Sequence, residues 1–224
     1  MRYYYDDQRV ILEAKYTTSE TDQRYFIYGN YIDEVLLMRN LEGTAVDYYY
    51  GHDHLYSPAV LFDSSGSVVE RYEYDAYGTA TVYTNMSDWD TASPTTQGYS
   101  NYSNPYVFTG RRLDTLDGGD LEIMYYRART YDTVTGRFLQ RDPLGIDPAG
   151  IKSINPFDTK EHYTDGMNLY EYVTSNSVSN VDLYGLGMWS YSFGGLRWSS
   201  RTCNCKVFSS QKQRRTLALS LIHI

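Results

Sequence analysis

Residues 68–83 read VVERYEYDAYGTATVY, and this stretch decides the fold class. Two sets of residues alternate along its first half: Val69, Arg71, Glu73 and Asp75 against Val68, Glu70, Tyr72 and Tyr74. A period of two predicts a β-strand. Asp75 and Gly78 then predict a tight turn, because Asp bonds the turn backbone and Gly takes the positive φ that ends it.

Similar Tyr- and Val-rich runs recur along the chain, at RYFIYG (24–29), VDYYYG (46–51), PAVLFD (58–63), IMYYRAR (123–129) and GRFLQRD (136–142). Further Asp-x-x-Gly turns begin at Asp63, Asp142, Asp147 and Asp182. Tyrosine supplies 26 of the 224 residues, a composition that favours strands. We therefore predict an all-β antiparallel meander of short hairpins, with polar insertions at about 86–103 and 148–166.

The charge distribution changes sharply near residue 186. Residues 187–224 contain no Asp or Glu and carry six Lys or Arg, which leaves 14 basic against 28 acidic residues in 1–186. This contrast predicts two units with different roles. The acidic unit is a poor candidate for nucleic-acid binding.

Cysteines and apolar runs limit the class of protein further. Cys203 and Cys205 are the only cysteines, so no disulfide framework can hold residues 1–186 together. A lone C-x-C could bind a metal or form a disulfide, but we interpret it as incidental. No apolar run is long enough to span a bilayer, and residues 1–10 lack the apolar core of a signal peptide. We expect the chain to be part of a longer protein.

Four longer segments carry a resemblance to a known family: YYYGHDHLYSPAVLFDSSGSVVERYEYDAYG (48–78), NPYVFTGRRLD (104–114), YYRARTYDTVTGRFLQRDPLG (125–145) and NLYEYVTSNSVSNVDLYGL (168–186). In order, spacing and identity they resemble the Rhs repeat-associated core. This core occurs in Rhs and YD-repeat toxins and in the C component of insecticidal toxin complexes. The resemblance implies a ribbon of YD-type hairpins that forms the end of a hollow β-shell, with short helical or irregular segments near the C-terminus.

The resemblance also implies a domain organisation. Residues 1–45 would be partial YD repeats, 46–186 the core that plugs the shell, and 187–224 the start of a variable C-terminal region. The last six residues, LSLIHI, match what a sequencing transposon end would encode, so we expect them to be artefactual. The implied partners are the upstream shell, the C-terminal cargo, a secretion-system or toxin-complex component and an immunity protein. The implied location is secreted or at the bacterial cell surface, with no cofactor.

The family cuts its own chain after a motif that here reads Asp182 to Leu186, so the scissile bond would be Leu186–Gly187. Hydrolysis by carboxyl groups needs one to take a proton from water and one to give a proton to the leaving amine, and two close carboxyl groups share one proton. Carried over by motif, Asp142 would be the main acid or base, and Arg129 the cation that orients a carboxylate or neutralises the oxyanion. Asp182 would be the partner of Asp142, because it lies only four residues before Leu186 and could be presented beside the bond. This would be a single-turnover aspartyl-type autoprotease.

Simpler interpretations stay open. Asp142 and Asp182 both begin Asp-x-x-Gly turns, and Arg129 could form an ordinary cross-strand ion pair. Leu183 and Ser177 stand where the family usually has Pro, which predicts a less rigid turn and a slower cut. The chain could instead be a non-cleaving structural or adhesive shell protein.

Two binding functions are weaker alternatives. Rows of tyrosine could bind glycans by stacking, although tyrosine on a sheet usually serves packing. His52 and His54 lie on one strand face, but two ligands are too few for a metal site.

Overall fold

A computed structural model describes residues 1–84, 95–117, 121–143, 167–187, 189–192 and 195–198, the main chain alone for 95–97, 189–192 and 195–198. The predicted all-β fold is confirmed, since the described residues form three antiparallel sheets. Among the described residues, the complete helical segments are single turns at 108–110 and 173–175. Val173, Thr174 and Ser175 all have positive φ, so the second turn is left-handed, a conformation that is costly for residues with a Cβ.

The first sheet is a nine-stranded meander in which each strand pairs with the next along the chain. Its strands are β1 (Arg2–Asp6), β2 (Arg9–Tyr16), β3 (Glu20–Tyr28), β4 (Val35–Asn40), β5 (Val46–His52), β6 (Pro58–Phe62), β7 (Val68–Tyr74), β8 (Ala80–Thr84) and β9 (Thr95–Gln97). The alternation in β7 has the expected effect, because Glu70 and Tyr72 are buried while Glu73 is exposed. β4 pairs with β5, so the sheet runs without a break across the predicted boundary at 45/46.

The second sheet contains β10 (Arg112–Leu116), β11 (Leu121–Tyr126), β12 (Arg129–Asp132) and β13 (Arg137–Phe138). The sequence run 123–129 is therefore two strands, separated by a turn in which Arg127 has φ +60°. The turn restarts the alternation of faces, so Arg129 points inward and is 5% exposed. Its burial differs from the solvent-facing position that an uninterrupted strand would give it.

The third sheet is a small one formed by β14 (Asn180–Val181), β15 (Trp189–Ser192) and β16 (Gly195–Trp198). Asn180 faces Ser190 and Val181 faces Trp189 in the β14–β15 ladder. The chain between them reverses direction in a loop that includes residues 182–187. This 182–187 loop contains the predicted scissile bond.

Two clusters of buried aromatic and aliphatic side chains form the core. One belongs to the nine-stranded sheet and contains Phe26, Met38, Leu61, Tyr72 and Tyr106, among others. The other cluster joins the second sheet to the C-terminal segment and includes Phe108, Met124, Tyr126, Tyr131, Phe138, Tyr172, Val181 and Leu183. Its rings Tyr126, Phe138 and Tyr172 meet edge to face. The tyrosine-rich composition thus supplies packing as well as strand propensity.

Two glutamates on inward-facing strand positions are fully buried. Glu13 of β2 forms ion pairs with Arg24 of β3 and Arg112 of β10, so it ties the first sheet to the second. Glu70 of β7 accepts hydrogen bonds from the Ser100 hydroxyl and the Asn101 amide, which fasten the segment after β9. Burial raises the pKa of Glu70, although hydrogen bonds from neighbouring groups act in the opposite direction.

Several predictions fall on parts of the chain that are not described. The insertion at 148–166, Asp147, Cys203, Cys205 and the last six residues lie outside the described residues, as does 86–94 of the first insertion. No helix within the described ranges is both long and apolar enough to cross a membrane.

We predict that Glu13→Gln destabilises the fold strongly. The change leaves two partly buried arginines facing a neutral amide, and breaking a buried ion pair costs about 3 kcal/mol. Urea unfolding followed by tyrosine fluorescence measures the loss. Asp47→Asn is the control, because its pair with Arg39 lies at the surface and its loss should be far smaller. Equal losses in the two variants would contradict the structural role of Glu13.

Candidate cleavage site in the 182–187 loop

Arg129 lies at the centre of the site, and three of its acceptors define the geometry there. Its Nη1 is 3.2 Å from Asp142 Oδ2, and its Nη2 is 3.1 Å from Asp182 Oδ2. Its Nε donates to the carbonyl of Gly185 at 2.6 Å. The structure therefore brings together the three residues that the sequence motifs single out. The two carboxylates bind different nitrogens of the same guanidinium group.

Asp182 contacts the predicted scissile bond directly. Its Oδ1 accepts the amide hydrogens of Tyr184 at 3.2 Å, Leu186 at 3.1 Å and Gly187 at 3.2 Å. The Gly187 nitrogen is the amine that hydrolysis of Leu186–Gly187 would release. Asp182 is 2% exposed, while Leu186 and Gly187 are half-buried.

The turn-forming interpretation of Asp182 is correct in geometry but incomplete. Asp63 and Asp75 each accept the amides two and four residues further on, and so does Asp182. Asp182 differs by also accepting the amide five residues on and by forming the ion pair with Arg129. Asp182 therefore combines the turn-forming contacts with contacts to the predicted scissile bond and to Arg129.

Asp142 approaches the site from the segment after β13. Its amide donates to the Leu169 carbonyl at 3.0 Å, and Arg129 Nη1 also reaches that carbonyl, at 3.4 Å. These bonds fix the backbone beside the carboxylate. Asp142 as a whole is buried, with 7% of its surface exposed. Gly145, the other end of the predicted turn, lies outside the described residues.

The four carbonyl groups of residues 182–185, just before the predicted cut, all accept hydrogen bonds. Their donors lie between residues 111 and 129, in the second sheet or directly before it. Arg111 Nη2 donates to the carbonyls of Asp182 at 2.8 Å and Leu183 at 2.6 Å. Arg127 also donates to the Leu183 carbonyl. The Ala128 amide donates to the Tyr184 carbonyl at 3.2 Å, and Arg129 binds that of Gly185. The loop is thus held through its main chain.

Sequence reasoning did not assign Arg111, Arg127 or their shared partner Asp33. Arg111 lies in the FTGRR motif and Arg127 in YYRAR, so both motifs contained the signal. Asp33 lies about 150 residues upstream, in the turn between β3 and β4. It pairs with Arg127 Nη2 at 2.6 Å and with Arg111 Nη2 at 3.2 Å. Nothing local in its sequence distinguishes it from other turn aspartates.

Gly185 is required by both its conformation and its surroundings. Its φ is +66°, in the left-handed region. A Cβ on this residue would lie 2.4 Å from the Tyr126 carbonyl oxygen and 3.0 Å from the Arg129 nitrogen. Both neighbours are backbone atoms, so neither can move aside cheaply. The close approach brings the loop against the turn that carries Arg129.

Leu183 and Ser177, which stand where the family usually has proline, both fit into the structure. Leu183 is buried in the second core cluster, and none of the hydrogen bonds found among the described residues uses its amide, the group that Pro would lack. Ser177 is 3% exposed, and its hydroxyl donates to the Ala76 carbonyl in the turn between β7 and β8. Both side chains fasten their segments by means other than a fixed φ.

Burial and charge define the electrostatics around the loop. Burial raises the pKa of Tyr126 to about 12 and that of Tyr172 well above its usual range, so both phenols stay protonated. Burial alone would lower the pKa of Arg111, but the Asp33 carboxylate and nearby tyrosines outweigh it and raise that pKa. The Arg111 guanidinium packs over the Tyr126 ring at 4.5 Å. Arg111 thus stays positively charged, with the Asp33 carboxylate and the Tyr126 ring as partners.

His52 and His54, which share one strand face in the sequence prediction, contact protein groups. His52 stacks near Tyr50, and burial lowers its pKa. His54 Nε2 lies 2.8 Å from the Val178 carbonyl oxygen. Within the described ranges, no three His, Cys, Asp or Glu side chains gather as a metal site would require.

The chain is similar in sequence to segments of much longer bacterial proteins. It is 28% identical over 191 residues to the tRNA3(Ser)-specific nuclease WapA of Bacillus spizizenii, covering 84% of this chain and 7% of that protein. It is 30% identical over 146 residues to the tRNA nuclease WapA of Bacillus subtilis, covering 63% of this chain and 5% of that protein. No family model matches the chain.

The fold is similar to that of a much longer solved chain. The crystal structure of TcdB2-TccC3-TEV superposes with a TM-score of 0.51 and 21% identity, over 78% of this chain and 7% of that one. At that identity the likeness concerns the fold alone. Together with the sequence relatives, it supports the Rhs-like all-β ribbon that the motifs indicate.

We predict that Gly185→Ala loosens the 182–187 loop. The left-handed φ and the clash with backbone together cost about 3 kcal/mol. Both measurements use an Asp142→Asn background, so that the 186–187 bond stays intact. Urea unfolding gives the total loss, and hydrogen exchange of the Leu186 and Gly187 amides gives the local one. Gly66→Ala is the matched control, because Gly66 has φ +82° but open space around it. It should lose only about 1 to 2 kcal/mol. Unchanged exchange in Gly185→Ala would contradict the close approach.

Proposed function

We propose that this chain is the core of an Rhs-type toxin protein, which plugs a β-shell and cuts itself between Leu186 and Gly187. The observation that carries the proposal is that Arg129 binds both Asp142 and Asp182, and that Asp182 Oδ1 lies 3.2 Å from the Gly187 nitrogen. The change in charge at the same position supports a boundary there. The toxin-complex fold and the toxin-type relatives support the same class.

The proposed reaction is hydrolysis by water. The Asp142 carboxylate takes a proton from a water molecule as its oxygen attacks the carbonyl carbon of Leu186. The C–N bond of the tetrahedral intermediate then breaks, and the Gly187 nitrogen leaves as an amine after gaining a proton. That proton is the one Asp142 took from water, and it reaches the Gly187 nitrogen through Asp182, whose Oδ1 lies 3.2 Å from it. The products are a carboxylate at Leu186 and an amine at Gly187.

Arg129 is assigned the orienting role. Its donors are directed at both carboxylates and at the carbonyls of Gly185 and Leu169. A cation between two carboxylates offsets their repulsion, so the two groups can approach the same bond. Its guanidinium also packs 3.6 Å from the Phe138 ring centroid, which fixes its plane. These contacts favour orientation over direct binding of the oxyanion.

The remaining parts of the proposal concern the whole protein. This chain spans 7% or less of the length of the relatives and 7% of the toxin-complex chain named above. We propose residues 1–45 as partial repeats, 46–186 as the core and 187–224 as the start of the released cargo. The proposed partners are the upstream shell, the cargo, a toxin-complex or secretion component and an immunity protein. The proposed location is outside the cell or at its surface.

A non-cleaving shell is the rival function. It rests on the occupancy of Asp182, whose oxygens already accept three amides and an arginine, as a purely structural turn would require. Under this alternative the core closes the shell, and exposed tyrosines such as Tyr49 and Tyr125 serve surface contacts with proteins or glycans.

We expect the expressed chain to yield a fragment that ends at Leu186, and Asp142→Asn to remain intact. The amide of Asn cannot accept the proton from water, so the cleavage rate should fall by a factor of at least about 100. Intact-mass measurement of the purified products reports both species. Asp75→Asn is the control, because Asp75 forms the same kind of turn without an arginine partner and should leave cleavage unchanged. An intact wild-type chain would favour the rival shell function.

A further inference from the structure

A second buried ion-pair group lies beside the proposed catalytic residues and is not used by the reaction above. It consists of Arg111, Arg127 and Asp33, and we call it the arginine clamp. Arg111 is 3% exposed, Asp33 is 5% exposed and Arg127 is half-buried. Charged groups this deep in a protein are costly unless they are paired and hydrogen-bonded. Their partners therefore indicate what the group is for.

The clamp binds the main chain that leads to the proposed cut. Arg111 donates to two successive carbonyls, those of Asp182 and Leu183, and Arg127 donates to the second. Asp33 holds both guanidinium groups in place, at 3.2 Å from Arg111 and 2.6 Å from Arg127. With the Ala128 amide and Arg129, every carbonyl from 182 to 185 receives a donor. The bond at 186–187 follows directly on this fixed segment.

We infer that Arg111 and Arg127, held by Asp33, are positioning residues for cleavage, an inference that rests on the proposed function. They do not touch Leu186 or Gly187 in any described contact, so they act through the loop. Fixing the carbonyls of 182 and 183 fixes where the Asp182 side chain and the scissile bond lie relative to Asp142. Misplacement of a reacting group by an ångström can cost about a hundredfold in rate.

Asp33 also makes the site depend on the first sheet. It lies in the turn between β3 and β4, and Gly110 allows the turn at 108–110 to approach it. A Cβ on Gly110 would lie 2.3 Å from the Asp33 carbonyl oxygen. The clamp therefore forms only when the β3–β4 turn has docked against the core. Cleavage is then conditional on the folding of β3 and β4, which precede the proposed core in the chain.

The test follows cleavage after synthesis of the whole chain in a cell-free system, by pulse labelling and separation of the fragments. We expect Arg111→Gln and Asp33→Asn to slow the first-order rate by about tenfold or more. Arg111→Lys should recover part of the rate, because it restores the cation but only one bonding direction. Glu70→Gln is the control for lost stability, because Glu70 is buried in the first sheet away from the loop, and it should cut at the wild-type rate.

Hydrogen exchange supplies a readout that does not depend on cleavage. In an Asp142→Asn background, where the chain stays intact, Arg111→Gln should increase exchange of the Tyr184, Leu186 and Gly187 amides, whereas Glu70→Gln should not. Cleavage of Arg111→Gln and Asp33→Asn at the wild-type rate would overturn the clamp while leaving the proposed function in place. Equal slowing by Glu70→Gln would also overturn it, by assigning the effect to stability. A wild-type chain that never cuts would overturn the proposed function itself.

Discussion

The guanidinium group of Arg129 is the interaction on which the C-terminal half of the structure depends. It joins the second sheet, which carries Arg129, to the segment that carries Asp142 and to the 182–187 loop, because both of these segments supply acceptors. A buried cation with several fixed partners has few alternative arrangements, so the segments that meet there are held in one geometry. Glu13 has the corresponding role between the first two sheets, with the signs reversed.

The strands and turns were largely predictable because their signals are local. Alternation with a period of two marks β3, β5, β6, β7, β11 and β13, and Asp with a following Gly marks the turns at 63–66 and 75–78. The strands with weaker alternation, such as β1 and β4, were not predicted. The pairing order followed as well, since short connections between successive strands favour neighbours.

The burial of charged side chains was not predictable in this way. Arg129 looks like a solvent-facing residue until the turn at Arg127 shifts the alternation of faces. Glu13 and Glu70 are charged residues in half-exposed strands, yet they point inward because arginines, or hydroxyl and amide donors, reach them from distant segments. Asp33 is an extreme case, since its partners lie about 80 and 95 residues further along the chain. Such pairs are set by tertiary contacts, and the family resemblance rather than any pattern pointed to Arg129, Asp142 and Asp182.

The pairing of β14 with β15 spans the Leu186–Gly187 bond. While that bond is intact, the two strands form an intramolecular hairpin, and a short connection gives them an effective concentration on the order of millimolar. Hydrolysis would leave every backbone hydrogen bond of the ladder in place and still turn it into an association between two molecules. Retention of the downstream strands would then be governed by dilution. An enclosing shell would limit the volume available to the downstream strands. It would thereby keep their local concentration high, as the covalent bond did before hydrolysis.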